Sequence, residues 1–254
     1  MAETHLLSII CQLSTIIIFV LCAKIFLSSI INHQSSNMEL SITVIIIIVT
    51  TLVSIGGFSN QKIIDDLIFY PPAVTQRKQW WRFFTCGLIH ADFGHLIFNM
   101  LSLYLFGRFV EDKFTEIFAD NGKWYYLAMY VSSLLVSILP TYFKHQNDYA
   151  YRSLGASGAV SAVVFAGLMI APYVEVGFFI IPPIIPGFIF GPLYLLISAL
   201  LDKRGGDNIN HSAHIWGAIY GVVFIIVVGK LAGFNAIEEF VNGVKYYLRS
   251  KGWI

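Results

Sequence analysis

An all-α, polytopic membrane bundle is the fold class the sequence predicts, and three observations predict it. Of the 254 residues, 57% are hydrophobic and only 12% are charged, about half the roughly 25% charge of an ordinary soluble domain. Mean hydropathy is +0.72. The apolar residues come in long blocks, not in the alternation of half-buried strands or surface helices, and the blocks run about 17–25 residues, long enough to cross a ~30 Å hydrocarbon core as helix. In lipid the backbone must pair within a helix or a closed barrel, and no block alternates like a barrel strand.

Seven blocks are expected to span, near 6–31, 41–57, 88–106, 124–143, 154–173, 180–201 and 211–230. The first is too long for a signal peptide, and "MAETHLLSII" ahead of it has no basic region. It reads as an extra N-terminal helix, residues 1–36, before a six-helix core at 37–232. The longest connection, 57–88, mixes charges, Pro71-Pro72 and aromatics. Trp80 and Trp81 there suit the headgroup level, so this loop is expected to lie on the membrane. The tail 233–254 carries Glu238 and Glu239 ahead of Lys245, Arg249 and Lys251 and reads as a cytoplasmic surface helix. Lys and Arg divide almost evenly between the two sets of loops, so charge bias does not set the orientation.

A net charge of +1 gives no basic surplus and sets nucleic-acid binding aside. Cys11, Cys22 and Cys86 are odd in number, lack metal-ligand spacing and read as packing residues. No metal or other cofactor is expected. The bilayer is the one certain partner.

Ionisable and polar groups at membrane depth cost ~2.5–3.5 kcal/mol for a charge at the helix centre and are functional candidates for that reason. Few occur here: His95 and Asn99 in "HADFGHLIFNMLSLYLFG", Ser157 in "GASGA", and His211 and His214 in "HSAHIWGAIYG". His90 reads as interfacial. One span separates each of the three blocks from the next, so all three cross in the same direction. From the block starts, Ser157 and His214 should lie ~5 Å below one face, with His95 and Asn99 ~10–15 Å deep. His95 and Asn99, at i and i+4, share a helix face. Gly155, Gly158, Ala159 and Ala162 surround the serine, and Ala213, Gly217 and Gly221 recur every four residues beside His214, a small-residue face that lets backbones come close.

Two readings of this pattern stand side by side. The small residues serve helix packing alone, and each histidine binds a carbonyl; or the packing brings Ser157 within the ~2.6–3.2 Å of His214 that a nucleophile and its base need. In the second case His214 removes the hydroxyl proton and later returns it to the leaving amine, while Asn99, His95 and the Ser157 N–H face the oxyanion. No Asp or Glu is placed to serve as a third triad member, so this is a dyad. A metal site lacks the HExxH spacing, and a GxSxG elbow lacks its preceding strand.

Five features in order, from Trp81 to Gly221, now resemble the rhomboid intramembrane serine proteases. They are Trp81-Arg82 in the long loop, His95-x-x-x-Asn99, Gly107-x-x-x-Glu111, Gly155-Ala-Ser157-Gly, and Ala213-His214-x-x-Gly217-x-x-x-Gly221. The resemblance implies a six-helix core with Ser157 as nucleophile, His214 as base, and His95 and Asn99 at the oxyanion hole. It implies structural roles for Arg82 and Glu111 in bracing the loop. Ser161 departs from the pattern, because some members place there an aromatic residue that packs on the catalytic histidine. Single-span membrane proteins are the implied substrates, and the compact chain favours a prokaryotic plasma membrane. A client-binding relative without activity would typically lack the serine or the histidine, and both are here. A transporter would show an internal repeat, and none is found.

Overall fold

The computed structural model describes residues 41–178, 181–205 and 209–254. The expected helix within 1–36 lies outside the described residues, as do Cys11 and Cys22.

Helix α1, Ile42–Ser59, is rich in Ile and Val, which are indifferent helix formers in water. In lipid the unpaired backbone of any other conformation is far more costly, so the run is helical. Ser41 caps it by accepting the Val44 N–H at 3.1 Å. Its large residues Ile48, Val49, Leu52 and Ile55 are exposed, while Thr43, Thr50, Ser54 and Gly57 are buried. That distribution inverts a water-soluble helix and matches one whose outer face meets lipid.

The long connection folds into three short helices, α2 Gln61–Leu67, α3 Pro71–Arg77 and α4 Arg82–Thr85, then a 3-10 turn, Cys86–Leu88. Phe69, Val74, Phe83 and Cys86 pack with Ile138 in a core of their own. Buried Arg82 organises it. The guanidinium donates from Nη1 to the carbonyls of Asp65 at 2.9 Å and Ile68 at 2.6 Å, and from Nε to Gln79 Oε1 at 2.6 Å. Trp80 and Trp81 are exposed at its edge.

Helix α5, Phe93–Phe118, and α6, Gly122–His145, form a hairpin across the 3-10 turn Ala119–Asn121. Helix α7, Ser157–Ile170, is buried along most of its length and lies at the centre, against α5 and α6. Helix α8, Gly187–Arg204, and α9, His211–Leu231, complete the six, and α10, Ala236–Ser250, follows. The main core gathers Leu103, Phe114, Tyr126, Met129, Val163 and Ile225 around α7.

Three placements correct the sequence reading. The sixth block does not begin as helix: an antiparallel hairpin, β1 Glu175–Phe178 and β2 Ile181–Pro186, precedes α8. The stretch "IPPIIP" explains it, since proline lacks the N–H a helix interior needs and biases the preceding residue to extended backbone. The third block starts as helix at Phe93 and not near 88, and it continues to Phe118. Glu111 does not brace the long loop. Its carboxylate accepts the N–H groups of Ile42 at 2.7 Å and Thr43 at 3.0 Å, and so caps α1. Gly107, one turn earlier on α5, leaves room for Thr43 and the Tyr126 hydroxyl.

The tail is docked onto the bundle. Gly243 of α10 rests on the Pro172 ring, Tyr247 donates its hydroxyl to Glu175 Oε1 at 3.0 Å, and Lys251 Nζ lies 3.1 Å from the same oxygen.

Candidate active site

The chain entering α7 is tied down at each step. Ser153 exchanges backbone hydrogen bonds with Phe69, at 3.0 and 3.1 Å, and Gly155 N–H donates to the Cys86 carbonyl at 2.9 Å. Ala156 N–H donates to His90 Nε2 at 3.4 Å. The Ser54 hydroxyl gives its proton to the Leu88 carbonyl at 2.9 Å, so at its 3.0 Å contact with His90 Nδ1 it is the imidazole that donates. His90 is therefore the Nδ1–H tautomer, with Nε2 free to accept from Ala156. This fully buried histidine joins α1 to the residue before Ser157.

Ser157 is the first residue of α7. The leading N–H groups of a helix have no partner within it, and the macrodipole makes that end electropositive, so negative charge near Ser157 Oγ is favoured.

His214 stands in the first turn of α9, and its Nε2 lies 2.7 Å from Ser157 Oγ, across 57 residues of sequence. Small residues permit the approach. Gly217 and Gly221 face the backbone carbonyls of Gly158 and Ala162 with no space for a side chain between them. The His211 ring lies 5.9 Å from the His214 ring and nearly perpendicular to it. Ser161, one turn beyond Ser157, is buried with its hydroxyl 3.4 Å from that of Tyr194 on α8.

His95 lies in the first turn of α5, where Asp92 caps the helix by accepting its N–H at 2.8 Å. Its ring covers Gly155, whose φ of 112° and missing side chain both serve that contact. It also stands edge-on to His90, with centroids 4.9 Å apart. Asn99, buried one turn on, donates from Nδ2 to the His95 carbonyl at 2.9 Å. Because α5 begins at Phe93, both residues sit within the first two turns of their helix.

Ser157, His214, Gly217 and Gly221 thus stand at one contact between α7 and α9, and Gly155, just ahead of α7, lies under the His95 ring of α5. Trp81, Arg82, Gly107 and Glu111 lie in the supporting frame. Two residues near the site hold contacts beyond the sequence-based expectations: His90, which links α1 to the backbone before Ser157, and the helix cap Asn210. A cap signal, Asn just ahead of the small-residue repeat of α9, was available for the second.

Fold and site together define a class, a membrane-embedded helical bundle whose inner helices meet at a serine and a histidine near one end. A model of the Rhomboid domain matches residues 77–231, more than half of the chain. This chain belongs to the rhomboid family and is an integral membrane protein. It is similar to the YdcA rhomboid of Bacillus subtilis, with 30% identity over 149 residues, 56% of this chain and 64% of that protein. It is also similar to the mitochondrial RHOMBOID-like protein 12 of Arabidopsis thaliana, 29% over 151 residues, 55% of this chain and 44% of the relative. The rhomboid protease AarA of Providencia stuartii is 29% identical over 171 residues, 60% of this chain and 58% of its own. Each match spans less than two thirds of the relative's length.

Proposed function

We propose that this protein is an intramembrane serine endopeptidase that hydrolyses peptide bonds in or near the transmembrane helices of other membrane proteins. The observation that carries this reading is the 2.7 Å contact between Ser157 Oγ and His214 Nε2 at the N-terminal end of α7. Ser157 Oγ attacks the scissile carbonyl as His214 Nε2 takes its proton. The developing oxyanion faces the Ser157 N–H, with His95 and Asn99 as the side-chain donors beside it, each such donor being worth ~2.7–4 kcal/mol of transition-state stabilisation. His214 returns the proton to the departing amine, and water then enters and hydrolyses the acyl-enzyme. The site's place in the first turns of its helices, near one end of the bundle, suits that entry. Single-span membrane proteins are the substrates proposed, in a prokaryotic plasma membrane. The name of AarA, a rhomboid protease, supports the reaction class.

The test treats purified protein with a fluorophosphonate probe beside Ser157→Ala and His214→Ala variants, while cleavage of a model single-span substrate is followed. Labelling and cleavage by the wild type, lost in both variants, is the result expected. A folded wild type that neither labels nor cleaves overturns the protease reading, and equal cleavage by Ser157→Ala overturns the nucleophile.

A further inference from the structure

Two helices must be held in axial register for Ser157 and His214 to meet, and the glycine face between them does only part of this. Gly217 against Gly158 and Gly221 against Ala162 set how closely α7 and α9 approach. A face of small residues sets distance more than axial position, and the larger side chains that the two helices share in the core, Val163 and Ile225 among them, lie farther along from the site.

The geometry points to Asn210 as the residue that fixes register at the site end of the two helices, a positioning residue for the Ser157–His214 pair. It precedes α9 as its cap, and one carboxamide reaches three separate segments. Oδ1 accepts the Ala213 N–H at 3.0 Å and the Thr141 hydroxyl of α6 at 3.1 Å. Nδ2 donates to Ser153 Oγ at 3.4 Å. The orientation of the amide follows from its partners: the Ala213 N–H can only donate, so the oxygen must face it and the nitrogen must face Ser153. The Asn210 carbonyl accepts from the His214 N–H at 3.4 Å as well.

Each partner leads to the site. Ala213 adjoins His214 in the turn that Asn210 caps. Ser153 lies four residues before Ser157, on the segment fixed to Phe69. Thr141 is buried on α6, which packs against both α7 and α9. Asn210 thus ties the start of the histidine helix to the chain entering the serine helix and refers both to a third helix. Displacing reacting groups by about 1 Å costs on the order of 100-fold in rate. Losing the tie should therefore appear in kcat, with substrate binding largely retained.

This inference rests on the protease reading, and the test separates the two. Asn210→Ser keeps a hydroxyl that caps α9 but is too short to reach Ser153 and Thr141. Asn210→Asp keeps both Oδ1 contacts and can accept from the Ser153 hydroxyl. Asn235→Ser changes the cap of α10, where Asn235 accepts from Glu238 N–H at 3.3 Å on another element. The wild type and these variants are compared in detergent for thermal unfolding, fluorophosphonate labelling rate, and kcat and KM on a single-span substrate. Asn210→Ser is expected to lose roughly 10- to 100-fold in kcat and labelling rate with KM within about twofold, to unfold near the wild-type temperature, and to be rescued by Asn210→Asp. Asn235→Ser is expected to match the wild type. Wild-type kcat in Asn210→Ser, or a loss shared equally by Asn235→Ser, overturns the positioning role and leaves the protease reading intact. A folded wild type with no labelling overturns both.

Discussion

Gly217 of α9 faces the carbonyl oxygen of Gly158 on α7 with no room for a single methyl group between them. The consequence is that the Ser157–His214 distance depends on a contact with no slack. Gly217→Ala is expected to push α9 outward, costing about 1–3 kcal/mol of stability through overpacking. Proteolytic activity should fall by roughly 100-fold as the imidazole leaves hydrogen-bond range of the hydroxyl. Thermal unfolding and substrate cleavage on the same preparation check this, and an active, wild-type-stable Gly217→Ala would contradict it.

Gly155 offers a second steric probe, for a different reason. Its φ of 112° is strained for any side chain, and an added Cβ would stand 2.6 Å from His95 Cε1. Gly155→Ala should cost about 1–3 kcal/mol and displace His95 and the turn into Ser157 together. The expected signature is a fall in fluorophosphonate labelling that a compensating substitution in the glycine face of α9 does not restore.

Glu111 should separate stability from catalysis. Its carboxylate caps α1 through the N–H groups of Ile42 and Thr43, at the opposite end of α5 from His95. Glu111→Ala leaves two N–H groups without that acceptor and should lower stability by about 1–3 kcal/mol. Cleavage per folded molecule should change by less than about threefold, well below the loss that misplaced reacting groups produce. Activity normalised to the folded fraction gives the answer.

The docked tail carries a pH dependence. The Lys251 ammonium, with the Tyr247 hydroxyl beside it, holds the Glu175 carboxyl below the usual carboxylate range, and Glu175 in turn raises Lys251. A depressed carboxyl stabilises above its unfolded pKa and loses that contribution as pH falls through its folded value. The raised ammonium contributes below its unfolded pKa and loses its share as pH rises through the folded one. Both side chains are more than a third exposed, so the effect is small and weakens with salt. Hydrogen exchange in α10 is expected to quicken as pH falls below the ordinary glutamate range, and Glu175→Gln should remove that step.

The helical spans were legible because hydropathy is a local sum and the bilayer allows few answers to it. Each of the six core blocks holds a described helix, although Ser157–Ile170 has only 14 residues and the block at 180–201 is helical only from Gly187, and the serine, histidine and glycine positions stood out as polar or small residues in apolar surroundings. Where each helix begins was not legible in the same way. A helix start depends on caps and on what meets the freed N–H groups, and this moved the start of α5 to Phe93, where Asp92 caps it.

By itself the amino-acid sequence determined a polytopic helical bundle, the order of its spans and the residue types that sit near one another. Tertiary structure alone decided that Ser157 Oγ and His214 Nε2 lie 2.7 Å apart, that Glu111 serves α1 and that His90 holds the backbone before the serine. Span formation is set within some twenty residues by burial in lipid. The contacts join groups tens of residues apart, and their geometry follows from how closely backbones pack and where buried donors find acceptors.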